Sequence, residues 1–302
     1  MPLPDASLAA SCPLCNSARL VPVVVKTVSE HSYALQRCQQ CQLVFVAPVL
    51  TQAELERHYA HLWTEEQDPA RASDLAIDRA LEGRRFQRRL HEIQRFVSAG
   101  RLLDVGCKDG SFLTVARQRG WEPQGVELTP AAAQRAQHQR LPVVIGTLAA
   151  ARFPAASFDV VTVWHLIEHL TQPVAFLQEI HRILKPTGLL AIETPNIDSR
   201  AFRRYGVDWE YLVPPQHLCY FGPQSLQFAL EHTDYQVVFQ RCEGGTGVGL
   251  QLAQAGLGGV RLWLRKYYRW FHPLKVMYLA LLGWAAPIDS ILVMYARPKT
   301  NL

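Results

Sequence analysis

LLDVGCKDGSFL, residues 102–113, reads as a buried strand running into a glycine-turned loop and then a helix. Leu102, Leu103 and Val105 make an apolar run too short for a helix face and suited to a parallel strand covered on both sides. Gly106 and Gly110 permit turns and a close backbone approach that a Cβ would block. A ligand on the carboxyl end of that strand would face the N-terminus of a helix beginning near Ser111, the place where α/β proteins bind nucleotides.

Glycine pairs after a strand also occur in tight turns and in dinucleotide enzymes, so the neighbouring residues decide. The spacing Asp104, Gly106, Gly110 lacks the third glycine of G-x-G-x-x-G. A second expected strand, Gln124 to Leu128, brings Glu127 to its carboxyl end, where a carboxylate can accept two hydrogen bonds from a ribose diol. Asp104 is hard to place as core, because a buried carboxylate must be paired or hydrogen-bonded. An aminoacyl ammonium group or the N–H groups of the loop would serve.

These residues resemble the class I S-adenosylmethionine-dependent methyltransferases, over about residues 101–195. The family's glycine motif matches Asp104, Gly106 and Gly110, and its ribose-binding acid matches Glu127, with Leu128 next to it. FPAASFDVVTVWHLIEHLTQP, residues 153–173, matches the fourth strand and its helix. LKPTGLLAIETPN, residues 184–196, matches a helix end and the fifth strand. The acid that usually comes after the third strand and holds the adenine amino group is replaced by Thr147-Leu148. The resemblance therefore implies adenine recognition through backbone groups and apolar contact at Leu148.

The chain has 302 residues, 49% of them hydrophobic, and carries a net charge of +5. It can bury a large core as one domain with additions, and the mild basic bias does not by itself indicate nucleic acid. MPLPDASLAA has no basic segment followed by an apolar run, so a signal peptide is not expected and the chain reads as cytoplasmic. Seven cysteines in such a compartment argue for metal or free thiols over disulfides.

Cys12-x2-Cys15 and Cys38-x2-Cys41 are two knuckles with the spacing of a tetrahedral thiolate zinc site. Four sulfurs leave no open position, so the zinc would be structural. Residues 12–41 carry only Arg19, Lys26 and Arg37 as cations, which is no basic stripe for nucleic acid. With CQLVFVAPVLTQAELERHYA, residues 41–60, the knuckles resemble an N-terminal zinc-binding module of bacterial sugar and cell-surface methyltransferases. That run reads as a strand, Leu43 to Val46, a break at Pro48 and a helix capped by Thr51 with Glu54 at the capping-box position. Residues 60–75 are polar and without period, the pattern of a lid. A helix from about Asp78 to Ser98 sets Leu81, Phe86, Leu90, Ile93 and Phe96 or Val97 on one side, and its charge run reads as a solvated face.

Trp164-His165-Leu166-Ile167-Glu168-His169 comes directly after the expected fourth strand. As a string H-x-x-E-H is the inverted zinc-protease motif, but here it sits at a strand's carboxyl end with no acidic helix downstream to complete it. In a methyltransferase His165 would lie near the methionine end of the cofactor, and Glu168 and His169 would occupy the first turn of a helix, where Glu168 meets the helix dipole. Some O-methyltransferases of this fold carry E-x-x-E-H and a distant histidine, with a divalent metal that acidifies an acceptor hydroxyl. Here His165 replaces the first glutamate, leaving Glu168, His169 and His217 for a second metal.

His217 stands in PPQHLCYFGPQSL, residues 214–226, an ordered loop on the carboxyl side of the sheet. The segment resembles one in sugar C-methyltransferases that carries a Glu-His pair; Gln216 in the glutamate's place cannot act as a base. His217 remains a candidate base for a hydroxyl, and equally a residue that hydrogen-bonds to fix the loop. After a sixth strand, Tyr235 to Cys242, residues 244–288 contain no acid, and Arg261, Arg265, Lys266, Arg269 and Lys275 interleave with Trp263, Tyr267, Tyr268, Trp270 and Phe271. This segment reads as a helical pair covering the acceptor pocket or a dimer surface, with peripheral membrane contact as the second reading. Ser290 to Arg297 reads as the last strand.

The expected fold is α/β: a doubly wound Rossmann-like sheet with an N-terminal zinc ribbon (residues 1–50), a helical linker or lid (51–100), the core (101–246), a helical insertion (247–288) and a last strand with its tail (289–302). The expected activity is S-adenosylmethionine-dependent methylation of a small-molecule, saccharide or lipid-linked acceptor, with His165 and His217 as catalytic candidates. A nicotinamide oxidoreductase and a non-catalytic zinc-ribbon binding protein are the alternatives.

Overall fold

The central strands are buried nearly throughout, and their successive residues belong to two core clusters. The computed structural model describes residues 11–28, 31–48, 72–244 and 289–299. Strands β4 (Arg101–Val105), β5 (Glu122–Glu127), β6 (Val143–Ile145), β7 (Phe158–Trp164) and β8 (Leu184–Pro195) run parallel. The hairpin of β10 (Tyr235–Glu243) and β11 (Ile291–Pro298) joins β8 through antiparallel β11, giving the order β10-β11-β8-β7-β4-β5-β6. Leu103, Val105, Val161 and Val163 face one core cluster, while Leu102 and Val160 face the other. Successive residues of a strand point to opposite faces, so each of these strands must be covered twice.

The helices supply those covers. On one face lie α1 (Ala72–Ile93), α2 (Ser111–Gln118) and α3 (Pro130–His138), through Phe86, Leu90, Ile93, Phe112, Ala116, Ala133 and Ala136. On the other lie α4 (Leu148–Ala151), α5 (Pro173–Ile183) and α7 (Pro223–His232), through Leu148, Leu177, Ile180, Leu226 and Leu230. A short α6 (Arg200–Tyr205) belongs to a third, aromatic-rich cluster with Trp209, Leu212 and Tyr220. The sheet order reverses between β4 and β7, and the crevice at their carboxyl ends is where such sheets bind ligands.

The second sheet is small and antiparallel: β1 (Leu20–Val28), β2 (His31–Cys38), β3 (Val44–Ala47) and, from the core, β9 (Cys219–Tyr220). Each cysteine knuckle closes on a residue in the left-handed region, Asn16 after Cys15 and Gln42 after Cys41. Asn16 N–H then donates to Cys12 O and Gln42 N–H to Cys38 O, both at 2.9 Å.

Two expectations need correction. Helix α1 runs Ala72–Ile93, so it takes in residues 72–75, read as without period, and stops short of Ser98. Its charge run is not all solvated: Arg89 is 0% exposed, because it falls between Phe86 and Leu90 on the buried face. Its Nε donates to Glu193 at 2.6 Å, and further bonds reach Glu92 and Glu243. The Thr51 cap, residues 60–71, the side chain of Leu81 and the helical insertion at 247–288 lie outside what is described. Among the described residues no helix is long and apolar enough to cross a membrane.

Candidate active site

The glycine loop crosses the carboxyl end of β4 as a backbone built to approach something closely. Gly106 and Gly110 have φ +78° and +80°, and a Cβ at Gly110 would collide with Leu141 and Ala136. Gly110 also caps α2 without any side chain, and Asp109 Oδ1 before it accepts from Ser111 N at 3.2 Å and from Ser111 Oγ at 2.7 Å. The carboxylate of Glu127, at the end of β5, accepts from Lys108 N at 2.9 Å and from Thr129 N at 2.8 Å. It thereby ties the glycine loop to the next loop and keeps further lone pairs for a ligand. Leu128 beside it is exposed, whereas Leu148 is buried in the core, so any contact Leu148 makes with a ligand falls to its backbone. Thr147 caps α4 by accepting from Ala150 N.

Asp104 lies beneath this loop, 2% exposed, and accepts from Thr162 Oγ1 at 2.7 Å. Burial pushes its pKa up to about 7, against the pull of the Thr162 hydrogen bond. A carboxyl held at that threshold is a natural partner for a cation arriving in the crevice.

After β7 the chain turns through His165, whose φ is +50°, and then through a single 3-10 turn, Ile167–His169. Glu168 and His169 therefore do not sit in the first turn of α5, which begins only at Pro173. What holds the Glu168 charge is side-chain contact and not a helix dipole. The ring of His165 lies between two carboxylates, Nδ1 at 3.3 Å from Glu168 and Nε2 at 3.0 Å from Glu193, and is stacked on Tyr211. Burial opposes a charge on His165, yet the hydrogen bonds to the two glutamates outweigh it and hold the pKa at about 9. Burial likewise opposes the charge on Glu168, but His165 brings its pKa down to about 2, and Thr194 Oγ1 donates to it at 3.0 Å. At neutral pH His165 is thus an imidazolium with both nitrogens engaged, and it has no lone pair with which to act as a base.

The other two histidines are different. The His217 ring donates from Nδ1 to Tyr211 O at 2.8 Å, and that of His169 from Nδ1 to Gln216 O at 2.7 Å. In a neutral ring such a bond leaves Nε2 with the lone pair. Burial drives the pKa of His217 down to about 4, so it is neutral over the physiological range. The rings meet edge to face at 4.8 Å, and ligand atoms of Glu168, His169 and His217 lie within 4.8 Å of one another.

At the small sheet the four expected cysteines do come together. Cys12 and Cys41 Sγ are 3.5 Å apart, as are those of Cys15 and Cys38. All four sulfurs lie within 4.8 Å of one another, and Leu14 N–H donates to Cys12 Sγ. A tetrahedron of sulfurs at the usual zinc distance has edges of about 3.8 Å, so the set fits the ion.

Sequence reasoning missed Thr162, Glu193, Tyr211 and Arg89. Two of them carried a signal: Glu193 is the one acid in the apolar run LLAIETP, and Arg89 falls on the stripe of Phe86, Leu90 and Ile93.

Residues 77–240 match the family model described as a methyltransferase domain. A ubiquinone biosynthesis O-methyltransferase of Paracidovorax citrulli is 30% identical over 121 residues, 37% of this chain and 51% of that protein. A Mycolicibacterium smegmatis protein named "Probable S-adenosylmethionine-dependent methyltransferase" is 35% identical over 115 residues, 36% of this chain and 45% of its own. The chain thus spans about half the length of the curated relatives it matches. Among solved structures, a chain of the complex between the Haloferax volcanii Trm112 methyltransferase activator and a methyltransferase superposes with TM-score 0.53. It is 15% identical, with 77% of this chain and 97% of that one covered. A Bacillus halodurans C-125 protein titled as a methyltransferase gives TM-score 0.51 at 17% identity, covering 71% and 99%. These two similarities speak for the fold alone.

Proposed function

The chain belongs to the S-adenosylmethionine-dependent methyltransferase domain family, and on that footing we propose that it methylates a hydroxyl of a small-molecule, saccharide or lipid-linked acceptor. The observation that carries this reading is the pair of imidazoles, His169 and His217, each tied through Nδ1 to a backbone carbonyl, gathered with Glu168 so that their ligand atoms lie within 4.8 Å of one another. The ubiquinone biosynthesis relatives are O-methyltransferases by name, which supports oxygen as the acceptor atom.

In this reading Asp104 takes the cofactor's ammonium and Glu127 its ribose diol, while Gly106 and Gly110 let the backbone approach and Leu128 and Leu148 flank the adenine. The sulfonium is already a strong electrophile, so the protein has chiefly to align the acceptor oxygen with the methyl carbon and exclude water. The C–O bond forms as the S–C bond breaks, and the hydroxyl proton goes to Nε2 of His217, or to solvent where a cation occupies that nitrogen. The burial that keeps His217 neutral also makes it a weak base, so a second divalent cation fits the site. Glu168 with Nε2 of His169 and His217 is a mixed oxygen and nitrogen donor set suited to one, and its contribution when bound is to acidify the acceptor hydroxyl. His165 then acts by position, holding Glu168 and Glu193 together as the charge between them.

His217→Ala should lower turnover at least a hundredfold, read as S-adenosylhomocysteine released with phenolic and saccharide acceptors, and change cofactor affinity less than threefold. Unchanged turnover would sink the assignment of His217. Stripping every metal but the tightly held zinc should likewise abolish turnover, and full activity after verified removal would rule out the second cation.

A further inference from the structure

We propose that the four-cysteine module is a clamp on the acceptor loop of the catalytic core, with Val46 as its positioning residue. Strand β9 is two residues long and cannot hold itself in place. It is held by β3, with Phe45 opposite Cys219 and Val44 opposite Tyr220. Next to that pairing, Val46 N–H donates to Leu218 O at 2.9 Å, and Leu218 N–H donates to Glu168 O at 2.8 Å. A run of only two hydrogen bonds thus joins the ribbon to the turn carrying Glu168 and His169, and it passes through the residue next to His217.

The start of β3 is in turn set by a knuckle, since Cys38 N–H donates to Leu43 O at 2.9 Å. Cys12, Cys38, Cys41, Leu43 and Phe45 share one buried cluster with Cys219 and Phe221, and the Cys219 thiol donates to Leu170 O. The ribbon also reaches the other side of the His217 ring. Leu35, Val44 and Val46 pack with Trp209, Leu212 and Tyr220 around the segment whose Tyr211 carbonyl fixes the His217 tautomer.

The module's few cations point the same way. Arg37 pairs with Asp198 at 3.0 Å and the Lys26 ammonium donates to Val207 O at 2.5 Å, so two of its three basic side chains are spent on the core. A nucleic-acid reader would keep them for phosphates. Because a thiolate site couples metal binding to local folding, loss of the metal should loosen β3 first and the acceptor loop through it.

The inference rests on reading residues 214–221 as the acceptor loop. Hydrogen exchange does not consult catalysis, so failure of the clamp and failure of that reading are separate results. Exchange is measured on the full chain with its ribbon metal, after stripping the metal, and after metal is restored, with S-adenosylhomocysteine affinity followed by calorimetry. Stripping should speed exchange of the Val46 and Leu218 amides at least tenfold and leave the amides of 102–127 and the cofactor affinity within twofold. Restoring metal should reverse it. Faster exchange confined to residues 11–41, or loss of cofactor affinity on stripping, would overturn the proposal. Val46→Pro removes the N–H donor to Leu218 O and tests the clamp with the metal in place. In a cobalt-loaded sample that keeps its tetrathiolate spectrum, this variant should free residues 214–221. Unchanged protection there, or loss of the spectrum, would also overturn it.

Discussion

Asp104 should give cofactor binding a pH dependence that the cofactor itself does not have. Its folded pKa is raised to about 7 by burial, so its protonated form contributes stability at low pH that is lost as pH rises through that value. An ammonium partner needs the carboxylate, so S-adenosylhomocysteine affinity should rise with pH up to and beyond 7. On acidification it should fall by up to about tenfold per pH unit, the limit for a single proton. Asp104→Asn should bind weakly with a flat profile; a profile as steep as that of the parent would remove Asp104 from the site. Glu127→Ala should cost at least tenfold in affinity by calorimetry, because it loses both the ribose acceptor and the tie to Lys108 N and Thr129 N. Undiminished binding would refute its ribose role. Glu127 stood out in the sequence because an acid at the end of an apolar strand has few uses. The charge on His165 did not, because it arises from Glu193, which is 28 positions away and meets it only across the β7–β8 pair.

At the scale of elements, the strands of the core could be read almost to their ends. Phe158–Trp164 falls inside the run 153–173 matched to the fourth strand, since an apolar run bounded by turns suits little else. The hairpin of β1 and β2 was not anticipated, because its half-exposed, irregular pattern gives no clean period of two. Arg89 shows why charge runs mislead: the same helix face that a formal pattern assigns to solvent turns one guanidinium inward, onto Glu193 and Glu243. Deleting the Arg89 guanidinium removes the most buried cation from Glu193 and Glu243, leaving Glu193 to Arg85 at 3.2 Å and His165 at 3.0 Å. Arg89→Met should therefore destabilise the protein by about 3–5 kcal/mol in urea denaturation. A loss below about 1 kcal/mol would mean that water or another cation already solvates Glu193.

For the molecule as a whole, two sheets that the sequence places far apart meet through β9, so a ribbon at residues 12–47 and a loop at 214–221 form one structural unit around the crevice. The parallel core could be read locally because each strand and its helix come in order along the chain; the junction could not, because two residues of strand carry no pattern. Both sides of the crevice bear on one claim, that the cofactor enters between β4 and β7 with its reactive end toward the histidines. A crystal structure of the full chain with S-adenosylhomocysteine tests it most directly. The account predicts ribose hydroxyls on the Glu127 carboxylate, the ammonium at Asp104 and the sulfur facing Nε2 of His169 and His217. A ribose held by any other residue, or a sulfur turned away from those two rings, would contradict it.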